Sequence, residues 1–448
     1  MPSLLKNIVS HNVVPGVMDQ QQINRLYRTS RIKVMIAITM GYGFYYVCRL
    51  GLSVVKKPLL DNGIYTPEDL GKIGAAIFYG YAFGKFVNGF IADHIDVKRF
   101  FLLGLILSIG CNLVMGFSNL LWLAILVWAL NGWFQSFGAA CCVKSLSRWF
   151  SLHERGRFYG MWSTSHAIGE GLTFVFTSAL VSYLGWRSGF FGAAIAAGTV
   201  CFVIYFLMKA NPESIGLPSI ADWKQDHGQK SDISKDKKVF SAQLEIFKMP
   251  GIWVVGFASA LMYVARYAVN SWGILYLQEA KGYSLTEAGK LLGTETIVSI
   301  IGAISYGFIS DKLFNARRPP VSFLFGVVQI TALLGIFVLP INNYWVLLFF
   351  CAMFGFSMGG LMVGVGGLLA VDIAPKKAVA AALGFVGIFS YLGAALQEMI
   401  SGHFIGSSIT TVSGIKHYDF SKAIIFWISS AAMSTVLAAS LWNVKTTD

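Results

Sequence analysis

The chain repeats one unusual pattern in its two halves. The first half has an apolar stretch that ends Tyr-Val-Cys-Arg at Arg49, followed by a segment GFIADHIDVKR that contains Asp93. The second half has Tyr-Val-Ala-Arg ending at Arg266, followed by GFISDKLFNARR with Asp311. The arginine precedes the aspartate by 44 residues in one copy and by 45 in the other. This spacing indicates a duplicated unit with one buried cation per copy, which is typical of transporters.

Long apolar runs predict that the chain spans a membrane many times. Hydrophobic residues make up 55% of the 448 residues and charged residues only 13%, and the mean hydropathy is +0.62. Because about 20 apolar residues cross a bilayer as a helix, we expect an all-α membrane protein with six spans in each half. The predicted spans, numbered 1 to 12, are 34–55, 70–93, 99–116, 120–143, 158–182, 188–208, 251–277, 287–310, 321–340, 344–371, 378–405 and 421–442.

Lysine and arginine are distributed unequally over the predicted connections. Of 35 such residues, 24 lie on the side with both termini, and seven, among them Lys56, lie on the other side. The remaining four, Arg49, Lys85, Arg266 and Lys290, lie within spans. Since cytoplasmic loops carry the excess of basic residues, both termini are predicted to be cytoplasmic. This asymmetry explains most of the net charge of +13, and basic residues scattered over short loops do not predict a nucleic-acid surface.

The order of apolar and polar segments predicts three parts. Residues 1–209 form the N-terminal half, residues 210–250 a polar cytoplasmic linker that is partly disordered, and residues 251–448 the C-terminal half.

No run within residues 1–33 is long enough for a cleaved signal peptide, so the first span directs insertion. The six cysteines lie in or beside spans without metal-ligand spacing, so we expect no metal. No phosphate-binding loop or hydrolase motif is present, which predicts a gradient-driven protein without cofactors rather than an enzyme.

A short charged motif follows spans 2 and 8. Gly89 to Asp93 is followed by Lys98 and Arg99, and Gly307 to Asp311 is followed by Arg317 and Arg318. A small residue permits close helix contact and a carboxylate at a helix end can pair with loop cations. The pattern resembles the loop motif of the major facilitator superfamily, in which it acts as a conformational latch. We assign the latch to Asp93, Arg99, Asp311 and Arg317.

The charges within the spans are the candidate functional groups. An arginine near the bilayer midplane costs at least about 2.5–3.5 kcal/mol, so Arg49 and Arg266 must face a partner or an aqueous cavity. A guanidinium binds phosphate or carboxylate bidentately, and two of them on a pseudo-two-fold axis could hold one anion from both halves. The alternative is structural pairing with one of three glutamates, Glu170, Glu295 or Glu398.

Two further titratable groups lie near the same level of the spans. Lys85 in span 2 would add a third cation to the cavity, or would form a salt bridge between helices. His166 in span 5 follows the polar run Trp162-Ser163-Thr164-Ser165. We expect it to contact the substrate, although a buried histidine can instead be hydrogen-bonded to its neighbours.

The segment Arg155 to Gly171 resembles the signature of the organophosphate:phosphate antiporter family. That signature runs Arg-Gly, five residues, Trp-Asn-x-x-His-Asn, an aliphatic residue and Gly-Gly. Six positions match, and Ser163, Ala167 and Glu170 depart from it. The segments GYGFYYVCR, YGYAFGKF, NGWFQSFG, YVARYAVNSW, APKKA and FSYLG extend the resemblance along nearly the whole chain.

This resemblance implies the major facilitator fold and an inward-facing phosphate site. It implies that Arg49 and Arg266 hold the phosphate, that His166 is a further donor and that Lys85 assists. The other residues that it implies in the cavity wall are Tyr42, Tyr46, Tyr81, Tyr263, Trp133, Gln135, Trp162 and Tyr391.

Departures from the family pattern bear on the substrate. Leu50 stands where bacterial glycerol 3-phosphate transporters carry a second cation, Met358 replaces a tyrosine, and Ser163 replaces an amide. Smaller polar walls favour a larger sugar, so we expect exchange of glucose 6-phosphate for inorganic phosphate. The alternatives are a glycerol 3-phosphate antiporter, a hexose-phosphate sensor, and a proton-coupled symporter that titrates one of the three glutamates. We expect a monomeric multi-pass protein of the bacterial inner membrane.

Overall fold

The computed structural model describes residues 19–224, 246–340, 342–375, 378–412 and 415–442. Within these ranges eleven helices are long and apolar enough to cross a bilayer. The helix Pro67–His94, 28 residues long, stands in the place of the second predicted span. Each of the twelve predicted spans therefore has a helical counterpart, and the predicted helical membrane fold is confirmed. The residues 225–245 of the predicted linker lie outside the described ranges.

The spans keep their predicted order, with revised bounds. Spans 1 to 6 are Gln20–Asp61, Pro67–His94, Val97–Phe117, Leu121–Trp149, His153–Leu184 and Arg187–Leu207. Spans 7 to 12 are Pro250–Glu279, Leu285–Leu313, Arg318–Phe337, Tyr344–Ile373, Val379–Gly406 and Ser421–Ser440. Short helical pieces lie between the halves at Pro212–Ile215, Ile220–Lys224 and Ile246–Lys248.

Two spans contain irregular turns. Span 5 consists of the helices Leu152–Ser163, Ser165–Leu172 and Ser178–Leu184, with a π-helical turn at Thr173–Thr177. Span 10 has a π-helical turn at Gly364–Leu368. Such wide turns are rare and often lie at functional sites. The first break in span 5 comes two residues before His166.

A small β-hairpin was not predicted. Strand β1, Ile409–Val412, pairs antiparallel with strand β2, Ile415–Tyr418, so that Ile409 lies opposite Tyr418. It lies between spans 11 and 12, on the side away from the termini. The four-residue strand β1 reads Ile-Thr-Thr-Val, and β-branched residues favour an extended backbone. The predicted all-α fold therefore holds for the spans, with one short hairpin added in this connection.

The duplication in the sequence reappears in local structure. Spans 2 and 8 begin with the same reciprocal cap, in which a hydroxyl accepts a hydrogen bond from the third backbone N–H of the helix. The pairs are Thr66 with Asp69 and Ser284 with Glu287, and each carboxylate also accepts from its capping residue. Equivalent spans of the two halves thus start by the same mechanism.

Glycines bring equivalent pairs of spans into close contact. A Cβ on Gly80 of span 2 would meet the carbonyl oxygen of Ala129 in span 4 at 2.0 Å. In the other half, a Cβ on Gly359 of span 10 would meet the carbonyl oxygen of Ser299 in span 8 at 1.8 Å. Only a residue without a side chain permits such backbone contact. The two halves therefore share a packing device as well as a sequence pattern.

The halves pack tightly against each other on the side away from the termini. A Cβ on Gly402 of span 11 would meet the carbonyl oxygen of Pro67 in span 2 at 2.6 Å. A Cβ on Gly289 of span 8 would meet the carbonyl oxygen of Phe174 in span 5 at 2.5 Å. Contacts between small residues thus close the extracytoplasmic side.

The same spans separate toward the cytoplasm. Among the described residues, a Cβ at Gly387 of span 11 would meet the Lys85 Nζ of span 2 at 3.3 Å, and one at Gly384 would meet nothing within 4 Å. On span 5 the positions of Gly156 and Gly160 are equally open. Among the described residues, the halves are therefore packed more closely on the extracytoplasmic side than on the cytoplasmic side.

A fully buried ion pair joins the halves on the closed side. Lys56 of span 1 lies 3.0 Å from the Glu398 carboxylate of span 11, and their side chains are 0% and 1% exposed. Lys56 also donates to Ser271 at 2.8 Å, and Trp272 donates to Glu398 at 2.9 Å. The sequence placed Lys56 in an external loop, but the structure shows it within span 1, where it connects the halves.

Replacing Lys56 with methionine should destabilise the protein by about 3–5 kcal/mol, because Glu398 would stay buried without its cation. We expect a lower unfolding temperature for the full chain in detergent, measured by tryptophan fluorescence. The double variant Lys56→Met/Glu398→Leu should regain most of the loss, since neither charge then remains.

Lys72 of span 2 provides a matched control. Its side chain is 45% exposed and pairs with Glu68 of the same helix at 3.4 Å, so Lys72→Met should change the stability by less than about 1 kcal/mol. Equal unfolding temperatures for the two methionine variants would contradict a special role for the buried pair.

Candidate anion-binding site

Arg49 lies in the middle of span 1 and is enclosed by aromatic rings. It is 3% exposed, and its guanidinium carbon lies 4.5 Å from the ring centre of Tyr81, 5.4 Å from that of Phe78 and 5.6 Å from that of Tyr391. Ring faces attract a cation, but they accept few hydrogen bonds. The Nε and Nη2 atoms of Arg49 are buried without a hydrogen-bond partner in the described structure. This guanidinium is therefore available to an anion.

Arg266 of span 7 is equally buried but has a partner. Its Nη2 donates to the Glu170 carboxylate of span 5, and both side chains are 4% exposed. The Asn270 amide donates to the other oxygen of Glu170 at 3.4 Å. The structural pairing that the sequence left open as an alternative is thus present for Arg266, and it joins the two halves.

The other two glutamates have different surroundings. Glu398 pairs with Lys56, and among the described residues it forms no ion pair with Arg49 or Arg266. Glu295 of span 8 is 2% exposed, and its Oε2 has no hydrogen-bond partner among the described residues.

Aromatic rings connect the surroundings of the two arginines. Phe78, which contacts Arg49, lies 4.4 Å from Tyr267, whose ring centre is 5.5 Å from the Arg266 guanidinium. Tyr391 lies 4.6 Å from Tyr81 across the interface between the halves. The structure thus brings the two predicted arginines to one aromatic layer between the halves.

Tyr263 belongs to the same layer. Its ring lies 5.7 Å from both the Arg266 guanidinium and the ring of Tyr391. Sequence reasoning did not include Phe78 or Tyr267 in the site. Helical spacing could have found both, because Phe78 precedes Tyr81 by three residues and Tyr267 follows Tyr263 by four.

Lys85 lies on the cytoplasmic side of this layer. Its side chain is exposed, and its Nζ lies 5.8 Å from the ring centre of Tyr391. No salt bridge of Lys85 is found among the described residues. A free ammonium group at the open side of the site can attract an incoming anion.

His166 and three aromatic residues line the N-terminal half beside Arg49. The ring of His166 lies 5.9 Å from that of Tyr46. Tyr42 lies 5.6 Å from Tyr46 and 5.0 Å from Trp162. The Nε1 of Trp162 is buried without a partner in the described structure. Tyr46 connects this group to the arginine, since its ring centre lies 5.6 Å from the Arg49 guanidinium carbon.

Two predicted wall residues make structural contacts instead. Gln135 is buried and donates to the Tyr45 carbonyl at 2.7 Å, which ties span 4 to span 1. The ring of Trp133 packs 5.4 Å from Phe83, whose side chain is 63% exposed. Neither residue has a described contact with Arg49 or Arg266.

A cavity extends from Arg49 toward the closed side. Its walls include Ser53, Tyr267 and Ser271, and it reaches Glu398. The small and mostly apolar space beside the arginine therefore reaches the buried ion pair that joins the halves.

The predicted latch of the second half uses a different arginine. Arg318 donates to Asp311 at 2.6 Å and to Ser310 at 2.7 Å, and its Nε lies 3.4 Å from the Asp372 carboxylate of span 10. Arg317 instead donates to the Trp442 carbonyl at 3.1 Å. The assignment of Arg317 to the latch was therefore wrong. At the start of span 9 the side chain that faces Asp311 is that of the next residue, Arg318.

The equivalent loop of the first half is less fully described. Arg99 is exposed, and its backbone N–H donates to Asp96 at the start of span 3 at 2.9 Å. The side chain of Asp93 lies outside the described part of the structure. In the described residues no group of three or more histidine, cysteine or acidic side chains could hold a metal ion.

Residues 35–397 match the sequence profile of the Major Facilitator Superfamily. The chain belongs to this superfamily. It is 32% identical to the membrane sensor protein UhpC of Salmonella typhimurium over 86% of this chain and 87% of that protein. A probable hexose phosphate transport protein of Chlamydia pneumoniae is 30% identical over 96% and 95% of the two chains. The glycerol-3-phosphate transporter of Bacillus subtilis is 30% identical over 95% of each.

These relatives confirm the resemblance to the organophosphate:phosphate antiporter family within the superfamily. Solved structures agree in fold. A bacterial homologue of the human lysosomal transporter Spinster, in an inward-facing and unoccupied conformation, has a TM-score of 0.75 at 16% identity and covers 93% of this chain and 99% of its own. The nucleoside transporter NupG has a TM-score of 0.65 at 15% identity, with 92% and 98% covered. The chain is thus a multi-pass membrane protein of a transporter superfamily.

Removing the Arg318 side chain should weaken the cytoplasmic end of the C-terminal half. We expect Arg318→Gln to lower the unfolding free energy by about 1–2 kcal/mol, because two carboxylates lose a partly buried partner. The measurement is thermal unfolding in detergent. The neighbouring substitution Arg317→Gln serves as the control and should have the smaller effect; the reverse order would show that Arg318 does not organise this loop.

Proposed function

We propose that this protein is a secondary transporter of the bacterial inner membrane that exchanges a sugar phosphate for inorganic phosphate by alternating access, as a monomer. The organic substrate that we propose is glucose 6-phosphate. The observation that carries the proposal is the buried Arg49 guanidinium with two nitrogen atoms that lack partners. Burying an uncompensated charge is costly, and a phosphate group offers the complementary charge and geometry.

The surrounding residues support an anionic sugar as the substrate. Lys85 is an exposed cation on the cytoplasmic approach, and His166 adds a donor beside the aromatic layer. Tyrosine rings with their hydroxyl groups suit the polar edges and apolar faces of a sugar. The names of the relatives from Chlamydia pneumoniae and Bacillus subtilis, which include hexose phosphate and glycerol-3-phosphate, point to the same class of substrate.

Local contacts bear on the choice between sugars. Leu50 and Met358 are buried, and Met358 contacts the Gln329 amide at 3.3 Å. The Ser163 hydroxyl donates to the Gly160 carbonyl at 2.7 Å. None of the three provides a cation or a free donor for a short substrate, which favours the larger hexose phosphate over glycerol 3-phosphate.

The charge of Arg49 also gives a reason for exchange. To pass between inward- and outward-facing states, the halves must close around the site, where an unpaired guanidinium would lose its remaining water. A bound phosphate compensates that charge in both directions. Repulsion between two free arginines is not the cause, because Glu170 neutralises Arg266 in this state.

Replacing Arg49 with lysine tests the site. We expect Arg49→Lys to weaken binding of inorganic phosphate and glucose 6-phosphate at least tenfold, about 1.4 kcal/mol, since an ammonium group lacks the planar fork of a guanidinium. Calorimetry on the purified full-length protein measures this. Arg187→Lys, at an exposed arginine on the closed side, is the matched control, and equal affinities for both variants would exclude Arg49 from the anion site.

Counterflow tests the coupling. Vesicles loaded with inorganic phosphate should take up labelled glucose 6-phosphate, whereas vesicles loaded with an inert buffer should not, because the empty site resists closure. Competition with glycerol 3-phosphate then ranks the two substrates. Uptake into phosphate-free vesicles under an inward proton gradient would contradict exchange and would show that the protein is a proton symporter.

The similarity to UhpC supports a second candidate, a sugar-phosphate sensor, because that relative is named a membrane sensor protein. A sensor can use the same binding residues without net transport. Binding of glucose 6-phosphate in calorimetry together with no flux in either kind of vesicle would favour the sensor.

A further inference from the structure

The two arginines of the repeat have different surroundings. They occupy equivalent positions in the two copies, yet Arg49 keeps two nitrogens without partners and Arg266 is paired with Glu170. Glu170 comes from the N-terminal half and Arg266 from the C-terminal half. The pair therefore forms inside the proposed site and across the interface whose two sides must move apart in alternating access.

The Glu170 carboxylate is held firmly where it meets Arg266. Both side chains are 4% exposed, and the Asn270 amide contacts the second oxygen of Glu170 at 3.4 Å. Asn270 lies one helical turn after Arg266 on span 7, so one face of that span binds both carboxylate oxygens. Span 7 thus already holds an anion from within the protein.

Carboxylate and phosphate bind a guanidinium in the same way, through two oxygens in the plane of its N–H donors. The two anions therefore compete for this face of Arg266. We propose that Glu170 is a specificity-determining residue, a tethered anion that occupies Arg266 in the empty protein and that a phosphate group must displace. This inference rests on the proposed function, since it concerns the same site.

Displacement would order the binding events. The phosphate group first meets Arg49 and Lys85, which have no competing carboxylate, and then replaces Glu170 at Arg266. His166 lies one helical turn before Glu170 on span 5 and is within reach of the displaced carboxylate. A weakly binding anion that cannot outcompete Glu170 would occupy only the Arg49 side and would not join the halves. The tethered carboxylate therefore selects for a strong, divalent oxyanion.

Removing the competitor should tighten binding. If Glu170 occupies Arg266 in nine molecules of ten, the apparent affinity of phosphate is reduced tenfold. We expect Glu170→Gln, and Glu170→Ala as a second variant, to lower the dissociation constants of inorganic phosphate and glucose 6-phosphate at least about tenfold. The measurement is calorimetry on the full chain in nanodiscs, on protein whose unfolding temperature shows that it is folded.

Glu295→Gln is the matched control, because Glu295 is a buried carboxyl group near the site but not bonded to Arg266. It should leave the affinity for phosphate unchanged. In the Arg266→Gln background the tethered anion has no arginine to occupy, so Glu170→Gln should tighten phosphate binding less than it does in the wild-type protein.

The possible results separate this inference from the proposed function. Tighter binding confined to the Glu170 variants supports the tethered anion. Unchanged or weaker binding by folded Glu170 variants, or equal tightening by Glu295→Gln, overturns it and leaves the transporter intact. If wild type and all variants fail to bind both phosphates, the proposed anion site is wrong and the inference fails with it.

Discussion

The structure depends on how cations are accommodated inside a membrane protein. Among the described residues three cations are almost completely buried, Arg49, Lys56 and Arg266. The charge of each is compensated in a different way. Lys56 is matched by Glu398 and closes the outer side, and Arg266 is matched by Glu170 at the level of the site. Aromatic rings surround the Arg49 guanidinium, and in the described structure two of its nitrogens have no hydrogen-bond partner, so its charge is the one that an anion can neutralise. Because an uncompensated charge is costly at this depth, the unpaired arginine marks the candidate site.

The halves pack closely at the outer side and less closely at the inner side, and both follow from the way helices associate in lipid. Lipid provides no hydrophobic drive for helices to associate, so contacts depend on small residues that let backbones approach. Gly71 and Gly402 provide such contacts between spans 2 and 11 near their outer ends, whereas toward the inner ends a Cβ at Gly387 would meet only the Lys85 side chain among the described residues. An alternating-access cycle would exchange these tight and open regions. Lys56 and Glu398 would have to separate in the outward-facing state.

Glu170 changes the net charge around the two arginines of the repeat, because it pairs with Arg266 and leaves Arg49 without a carboxylate partner in the described structure. Two free guanidinium groups would repel each other and make the candidate site strongly positive. With Arg266 neutralised by Glu170, the net positive charge comes from Arg49 and Lys85. The position of Glu170 departs from the signature of the organophosphate:phosphate antiporter family in an otherwise similar segment. The departure is thus a structural feature at the centre of the site, where it ties the two halves together.

The sequence by itself determined the twelve spans, the duplication, and the two arginines at the interface of the halves. It could do so because a backbone in lipid must satisfy its hydrogen bonds within one helix, so apolar length predicts eleven of the spans, and the repeat of the first half in the second supports span 2. Only the tertiary structure decided the partners: Glu170 and not Glu295 or Glu398 for Arg266, Lys56 for Glu398, and Arg318 rather than Arg317 for Asp311. The paired residues Arg266 and Glu170 are 96 positions apart, and Lys56 and Glu398 are 342 apart. Such pairing depends on which helix faces meet, and local periodicity carries no information about that.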